Sequence, residues 1–280
     1  MKNEPSSARP GRRFRLTRRG RLVLTVTAVV VAAVAVLVPL LLNGGQKEEK
    51  ALLVPEGWRA TQVYTAIDKA LDQAPGATAK VVGTARLKLP ADARGNPEGY
   101  LFPATYPVDS RSTPQSLLSY MVNTAHQRFG ADRISKGAQR SGMTVYQTVS
   151  IASIVQAEAD TPGDMGKVAR VIYNRLAKGM PLQMDSTLNY ALNRSTLDTT
   201  AADTRINSPY NSYQRRGLPP TPIDNPGEQA MHAAINPPPG DWLYFVTVGP
   251  GDTRFTASYQ EHRRNVAEFN VRRSSASAGN

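Results

Sequence analysis

Residues Leu22 to Leu42, LVLTVTAVVVAAVAVLVPLLL, run for 21 positions without a charge. A helix of that length rises about 30 Å, the depth of a bilayer's hydrocarbon core. Residues 1–21 before it hold eight basic side chains against Glu4, a net +7 of the chain's +12. That flank predicts the N-terminus inside and the rest of the chain outside. A cleaved signal peptide would have a shorter apolar stretch, of roughly 7–15 residues, followed by an A-x-A-like site. Here Asn43-Gly44-Gly45-Gln46 follows instead. The expectation is an uncleaved single-pass anchor, kinked at Pro39, with a disordered tail at 1–21 and a polar linker at 43–50. The partner implied for 22–42 is the lipid bilayer.

An outer body of this size must be stable through its own core. With no cysteine in the chain, disulfides, thiolate zinc sites and cysteine nucleophiles are excluded. Three histidines argue against a multi-histidine metal centre, so no metal or cofactor is expected. The body carries no basic stripe interleaved with aromatics, so its charge is not read as a nucleic-acid surface.

Periodicity and turn residues predict an α+β body. A first α/β piece covers 51–90, with strands at Ala51–Val54 and Ala79–Val82 around a helix in 54–71 capped by Thr61. Residues 91–113 are rich in Pro, Gly and aromatics and read as ordered loop. Thr113-Pro114 opens a helix that ends at Gly130. Further helices are expected from Thr144 to Asp160, Gly163 to Lys178, 186–192 and Pro226 to Ile235. A buried strand at Trp242–Val248 should pair with Thr253–Thr256 across Gly249–Asp252. A last helix covers Ser258–Arg272, and 273–280 is expected to be disordered.

Glu158 is the foremost chemical candidate. With Ile151, Ile154 and Val155 it follows helical spacing, so a carboxyl ends an apolar stripe. A poorly solvated carboxyl keeps its proton to higher pH, as a general acid must. Spacing alone favours the bland alternative, a structural carboxylate paired with Arg170 or Arg175. Asp185 in MPLQMDSTLNYAL is first of all a helix N-cap. Its functional alternatives are to orient a sugar or to serve as the second carboxylate of a glycosidase. The Pro-braced stretch SPYNSYQRRGLPPTPIDNPG offers Tyr210, Asn211 and Tyr213 for stacking on sugars and bonding to their acetamido groups. The alternative is a packed covering loop. His262 reads as a surface or packing residue. No phosphate loop, G-x-S-x-G elbow or HExxH pair occurs.

VPEGWRATQVYTAI, EGYLFPATYPV, ASIVQAEAD, VARVIYNRLAKGMPLQMDSTLNYAL, SPYNSYQRRGLPPTPIDNPGEQAMHAAINPP, LYFVTVGPG and EHRRNVAEF follow one another in this order. Over roughly 51–270 this pattern resembles the YceG-like family of membrane-anchored endolytic murein transglycosylases. The resemblance implies a peptidoglycan lyase that cuts the MurNAc–GlcNAc bond within nascent glycan strands and leaves a 1,6-anhydro end. It implies Glu158 as the catalytic residue, because the ASI-V-x-x-E pattern falls there. Many members carry a second Glu where this chain has Gln156. Gln183, Asp185, Tyr210, Asn211 and Tyr213 are implied as glycan contacts. It further implies a LysM-like subdomain at 51–90, a mainly helical catalytic domain with a short sheet at 91–272, and action beside peptidoglycan synthases. The competing expectations are an inactive anchored glycan-binding scaffold and a hydrolase using Glu158 with Asp185.

Overall fold

The computed structural model describes residues 50–196 and 199–278. The expected anchor at 22–42 and the basic tail lie outside them. Among the described residues no helix is long and apolar enough to cross a membrane.

The chain enters through strand β1 (Lys50–Leu53), which pairs antiparallel with β2 (Thr105–Val108), Lys50 opposite Val108 and Leu53 opposite Thr105. Between them lie helices α1 (Ala60–Ala70) and α2 (Ala77–Val81). Val63 and Ile67 are one turn apart on α1 and fully buried. Arg59, not Thr61, is the N-cap of α1, and its N–H donates to Gln62 Oε1 at 2.9 Å. Lys50, assigned to the linker, is already in the sheet.

The segment 51–90 is not the LysM-like subdomain expected. Its strand is completed by β2, beyond the expected boundary, and residues 50–280 form one compact unit. The strand expected at Ala79–Val82 is also absent; α2 stands there. Thr78 N–H and its hydroxyl donate to Asp68 Oδ1 on α1 at 2.8 and 2.6 Å, fastening that helix where a strand would have no neighbour to pair with.

Helix α3 (Pro114–Phe129) starts as its sequence requires. Thr113 accepts from the Ser116 N–H at 3.1 Å, and Pro114 occupies the first turn. Helix α4 (Asp132–Arg140) has no counterpart among the sequence expectations. Only Ile134, Gly137 and Ala138 are buried on it, too few large apolar groups to give a periodic signal. Helix α5 (Val145–Glu158) is buried from Tyr146 to Val155 except at Gln147, and packs against α6 (Pro162–Ala177) and α8 (Glu228–Ile235). A helix covered on nearly every side belongs to the middle of a core. Only its last turn emerges.

Helix α7 (Asp185–Ala191) precedes the long loop that leads to α8. Strands β3 (Tyr244–Gly249) and β4 (Asp252–Thr256) form a separate hairpin packed on α9 (Tyr259–Ala278). β3 is not the buried strand expected, since Val248 is its one buried residue. A two-stranded hairpin has no second sheet to cover it, so most of its side chains stay half-exposed. The disorder expected at 273–280 is corrected as far as Ala278: α9 runs on through Ser274–Ala278, where no Gly or Pro interrupts it. Asn280 and the residue before it lie outside the described residues.

Candidate active site

Glu158 closes α5, and the next residue, Ala159, is extended at φ −148° and ψ 138°. Its carboxyl therefore leaves the core at the point where the helix stops covering it. Ser186, in the first turn of α7, donates both its N–H and its hydroxyl to Glu158 Oε1, at 3.1 and 2.6 Å. Among the described residues Oε2 has no hydrogen-bond partner. Burial pushes the carboxyl above its usual range, the two Ser186 bonds pull it back, and the neighbouring Asp185 charge pushes it up again; the net direction is up.

Neither arginine expected as a structural partner reaches Glu158. Arg170 donates to the carbonyls of Pro237 and Pro238 at 3.0 and 2.7 Å. Arg175 is buried and donates to the carbonyls of Pro181, Leu182 and Leu243. A carboxyl with two neutral donors on one oxygen and no cation is free to exchange a proton.

Asp185 does not cap α7. Met184 holds that position with no side-chain cap, and Asp185 is the first helical residue. Its Oδ1 instead accepts from the Tyr213 hydroxyl at 2.5 Å. Burial is the main reason that hydroxyl is held far above its usual range, and the Asp185 bond adds to the effect, so Tyr213 remains a donor.

Glu158, Asp185 and Ser186 line a cleft of about 580 Å³. The lining also includes Glu56, Arg59 and Gln62, just before and within the first turn of α1, with Asn189 and Asp224. Gln156 also lines it, and its Oε1 accepts from the Gly227 N–H at 3.0 Å. A larger hollow of about 890 Å³, between Arg94, Gln147 and Pro219-Pro220, contains none of these acids.

Four of the five expected glycan contacts, Gln183, Tyr210, Asn211 and Tyr213, do not line this cleft. Gln183, at φ +52°, is exposed, and its Oε1 accepts from Arg175 at 3.0 Å. Tyr210 packs against Tyr190 with ring centres 4.8 Å apart and the rings tilted by 54°, and its hydroxyl shares a bond with Thr221. Asn211 is fully buried. Its amide donates to the carbonyls of Thr204 and Ile206 at 3.2 and 2.8 Å, and its oxygen accepts from the Tyr213 N–H at 3.0 Å. The polar groups between the tyrosines are therefore internal braces rather than sugar-facing groups: Ser212 too is buried, and its hydroxyl accepts from the Met184 N–H. Tyr213 reaches the cleft only through Asp185.

Sequence reasoning missed Ser186, Arg59, Glu98 and Asp224. Ser186 adjoins Asp185 in the same quoted stretch, and a hydroxyl opening a helix was the available signal. Glu98 lies beneath the cleft and is 3% exposed. It accepts from the Ala60 N–H at 2.8 Å and the Tyr190 hydroxyl at 3.1 Å. Burial pushes its carboxyl up to about 7, against those two bonds and the Arg59 charge. Gly99 beside it, at φ +82°, lets the chain pass under Pro222, whose Cγ would lie 2.5 Å from any Cβ there. Among the described residues no cluster of three His, Asp or Glu is placed to hold a metal ion.

Fold and cleft together define a mainly helical α+β protein with an unpaired acid at its centre. The same fold is found in a crystal structure of a YceG-like protein from Listeria monocytogenes, with a TM-score of 0.68 and 29% identity over 81% of this chain and 79% of that one. The YceG-like family matches residues 30–268, and the chain belongs to that family. An endolytic murein transglycosylase of Bacillus subtilis (strain 168) is 35% identical over 173 residues, 61% of this chain and 48% of the relative. One from Streptococcus pneumoniae serotype 2 (strain D39) is 37% identical over 182 residues, 63% of this chain and 33% of the relative. The chain thus spans about half or less of the length of these relatives.

Proposed function

We propose that the protein is an endolytic peptidoglycan lytic transglycosylase, a lyase acting on the MurNAc–GlcNAc bond, with Glu158 as its acid and base. The observation that carries this reading is the Glu158 carboxyl itself. It opens on a cleft, is pushed toward its protonated form, and is oriented by Ser186 without a neutralising cation. The family membership and the relatives, endolytic murein transglycosylases, support the substrate class.

In this reaction protonated Glu158 gives its proton to the glycosidic oxygen as the bond to the muramic anomeric carbon breaks. The muramic 6-hydroxyl attacks that carbon, and its proton passes to the Glu158 carboxylate. Glu158 ends as it began, no water is added, and the products are a free GlcNAc end and a 1,6-anhydro-MurNAc end. One carboxyl suffices. Asp185, bound by Tyr213, is left to orient substrate and to raise the proton affinity of its neighbour. Incubation with uncrosslinked glycan followed by mass spectrometry tests the reading. Anhydro ends are expected, whereas products heavier by one water would assign the protein to the hydrolases.

In the same reading, residues 22–42 anchor the chain in the cell membrane with 1–21 cytoplasmic and the body outside, near the synthases that extend glycan strands. The uncharged run and its +7 flank support this. Protease added to intact spheroplasts should digest the body, and protection of the body would overturn the topology.

A further inference from the structure

Asp224 is 4% exposed and lines the same cleft as Glu158. Its neighbours on both sides are fixed. The Ile223 N–H donates to Ser153 Oγ at 3.0 Å, and the Asn225 N–H to the Trp58 carbonyl at 2.9 Å. Asn225 is fully buried, and its side chain accepts from the Leu101 N–H at 2.8 Å and donates to the Trp58 carbonyl at 2.7 Å. The backbone carrying Asp224 therefore has little freedom to turn the carboxyl elsewhere.

In that frame Asp224 Oδ1 is buried without a hydrogen-bond partner among the described residues. Buried polar groups almost always find one, because leaving one unpaired is costly. Glu98, close by, shows the contrast: its oxygens are met by Ala60, Tyr190 and Asn225. Burial holds the Asp224 carboxyl well above its usual range, the Glu98 charge adds to this, and Arg59 opposes it in part. A neutral carboxylic acid offers a donor hydrogen to whatever occupies the cleft.

We propose that Asp224 is a second substrate-binding residue, whose carboxyl group donates a hydrogen bond to an uncharged oxygen of the glycan, a hydroxyl or an acetamido carbonyl. The inference rests on the glycan-cleaving reading and adds to it a second contact in the cleft that Glu158 and Ser186 line. Asp224 takes no part in proton transfer to the scissile bond, and its effect falls on binding.

The test uses the full chain carrying Glu158→Gln, in which turnover should be slow enough for binding to be measured. Titration calorimetry with uncrosslinked glycan oligosaccharides gives the parent affinity. Adding Asp224→Ala should weaken binding by about 3–10-fold, the worth of one hydrogen bond. Asp224→Asn keeps the shape and a donor N–H, and should restore most of that loss. Melting curves on each variant establish that the protein remains folded. With Glu158 intact, Asp224→Ala should raise KM and leave kcat within a few-fold. Unchanged affinity in a folded Asp224→Ala protein would overturn the proposal while the lyase reading stood. Equal losses in the Ala and Asn variants would overturn it too, because a charged carboxylate would then be the active form. No binding by the parent, together with no anhydro product from the wild-type chain, would remove the lyase reading itself.

Discussion

Ser186 grips one oxygen of Glu158 twice, through its N–H at 3.1 Å and its hydroxyl at 2.6 Å, and the other has no partner among the described residues. The carboxyl is thereby fixed in rotation but not neutralised. The first consequence concerns the acid itself. Glu158→Gln keeps size and one acceptor but has no proton to give. Release of anhydro ends should fall by about 10²–10⁴-fold, the usual contribution of general acid catalysis. The melting temperature should hold or rise, because an unfavourably placed ionisable group is gone. Full activity in this variant would refute the assignment.

The same contacts set a pH dependence. In the proposed reaction Glu158 must be protonated, so the profile of kcat/KM should fall on its basic side as Glu158 ionises. The Asp185 charge raises the Glu158 proton affinity. Asp185→Asn should therefore move that limb to lower pH. The Ser186 hydroxyl favours the ionised form, and Ser186→Ala should move the limb to higher pH. Shifts in the same direction for both variants would show that the limb belongs to another group.

Glu98 gives a prediction about stability. Its folded carboxyl is raised from 4.5 to about 7, so the stability linked to it is complete below about pH 4.5 and is lost as pH climbs through 7. At about 1.4 kcal/mol per unit, the loss is on the order of 3 kcal/mol. Glu98→Gln should abolish it, since the amide oxygen can still accept from Ala60 and the amide nitrogen can face Tyr190. Urea unfolding at pH 5 and pH 8 should show the wild-type protein losing more stability between the two than the variant does. Parallel changes would rule Glu98 out.

Asn211 was the residue most open to misreading from sequence. Its three bonds to backbone hold the loop 204–213 that carries Tyr213. Asn211→Ala should destabilise the fold by about 1–3 kcal/mol, the cost of stranding buried partners. A thermal melt checks this. Lost activity without a lower melting temperature would return Asn211 to the cleft.

What could be read from sequence follows from how far each signal reaches. Helices α3 and α5 were legible because Thr113 and Thr144 cap them at the starts expected, whereas α6, expected from Gly163, begins at Pro162 behind a Thr161 cap that the sequence reading did not use. Glu158 was legible because it ends an apolar stripe. Helix α4 was not, since Gly137 and Ala138 take places where larger side chains would mark a buried face. Asn211 and Tyr210 were misplaced for a different reason. A buried amide and a sugar-binding amide use the same atoms, and only tertiary contacts tell them apart. Asp224 left no trace, because its meaning lies in what does not surround it.

The pairing of β1 with β2 bears on how such a chain can be rearranged. Residues 51–90 cannot be exchanged like a cassette. A break after residue 90 would leave β1, Glu56 and Arg59 on one fragment, and β2, Glu98 and Glu158 on the other. Each fragment would carry one strand of that sheet and part of the cleft lining. Neither could be grafted onto a foreign partner as a ready-made module, but the two would suit a split-protein complementation pair. Restored lyase activity would then report that the halves had reassembled.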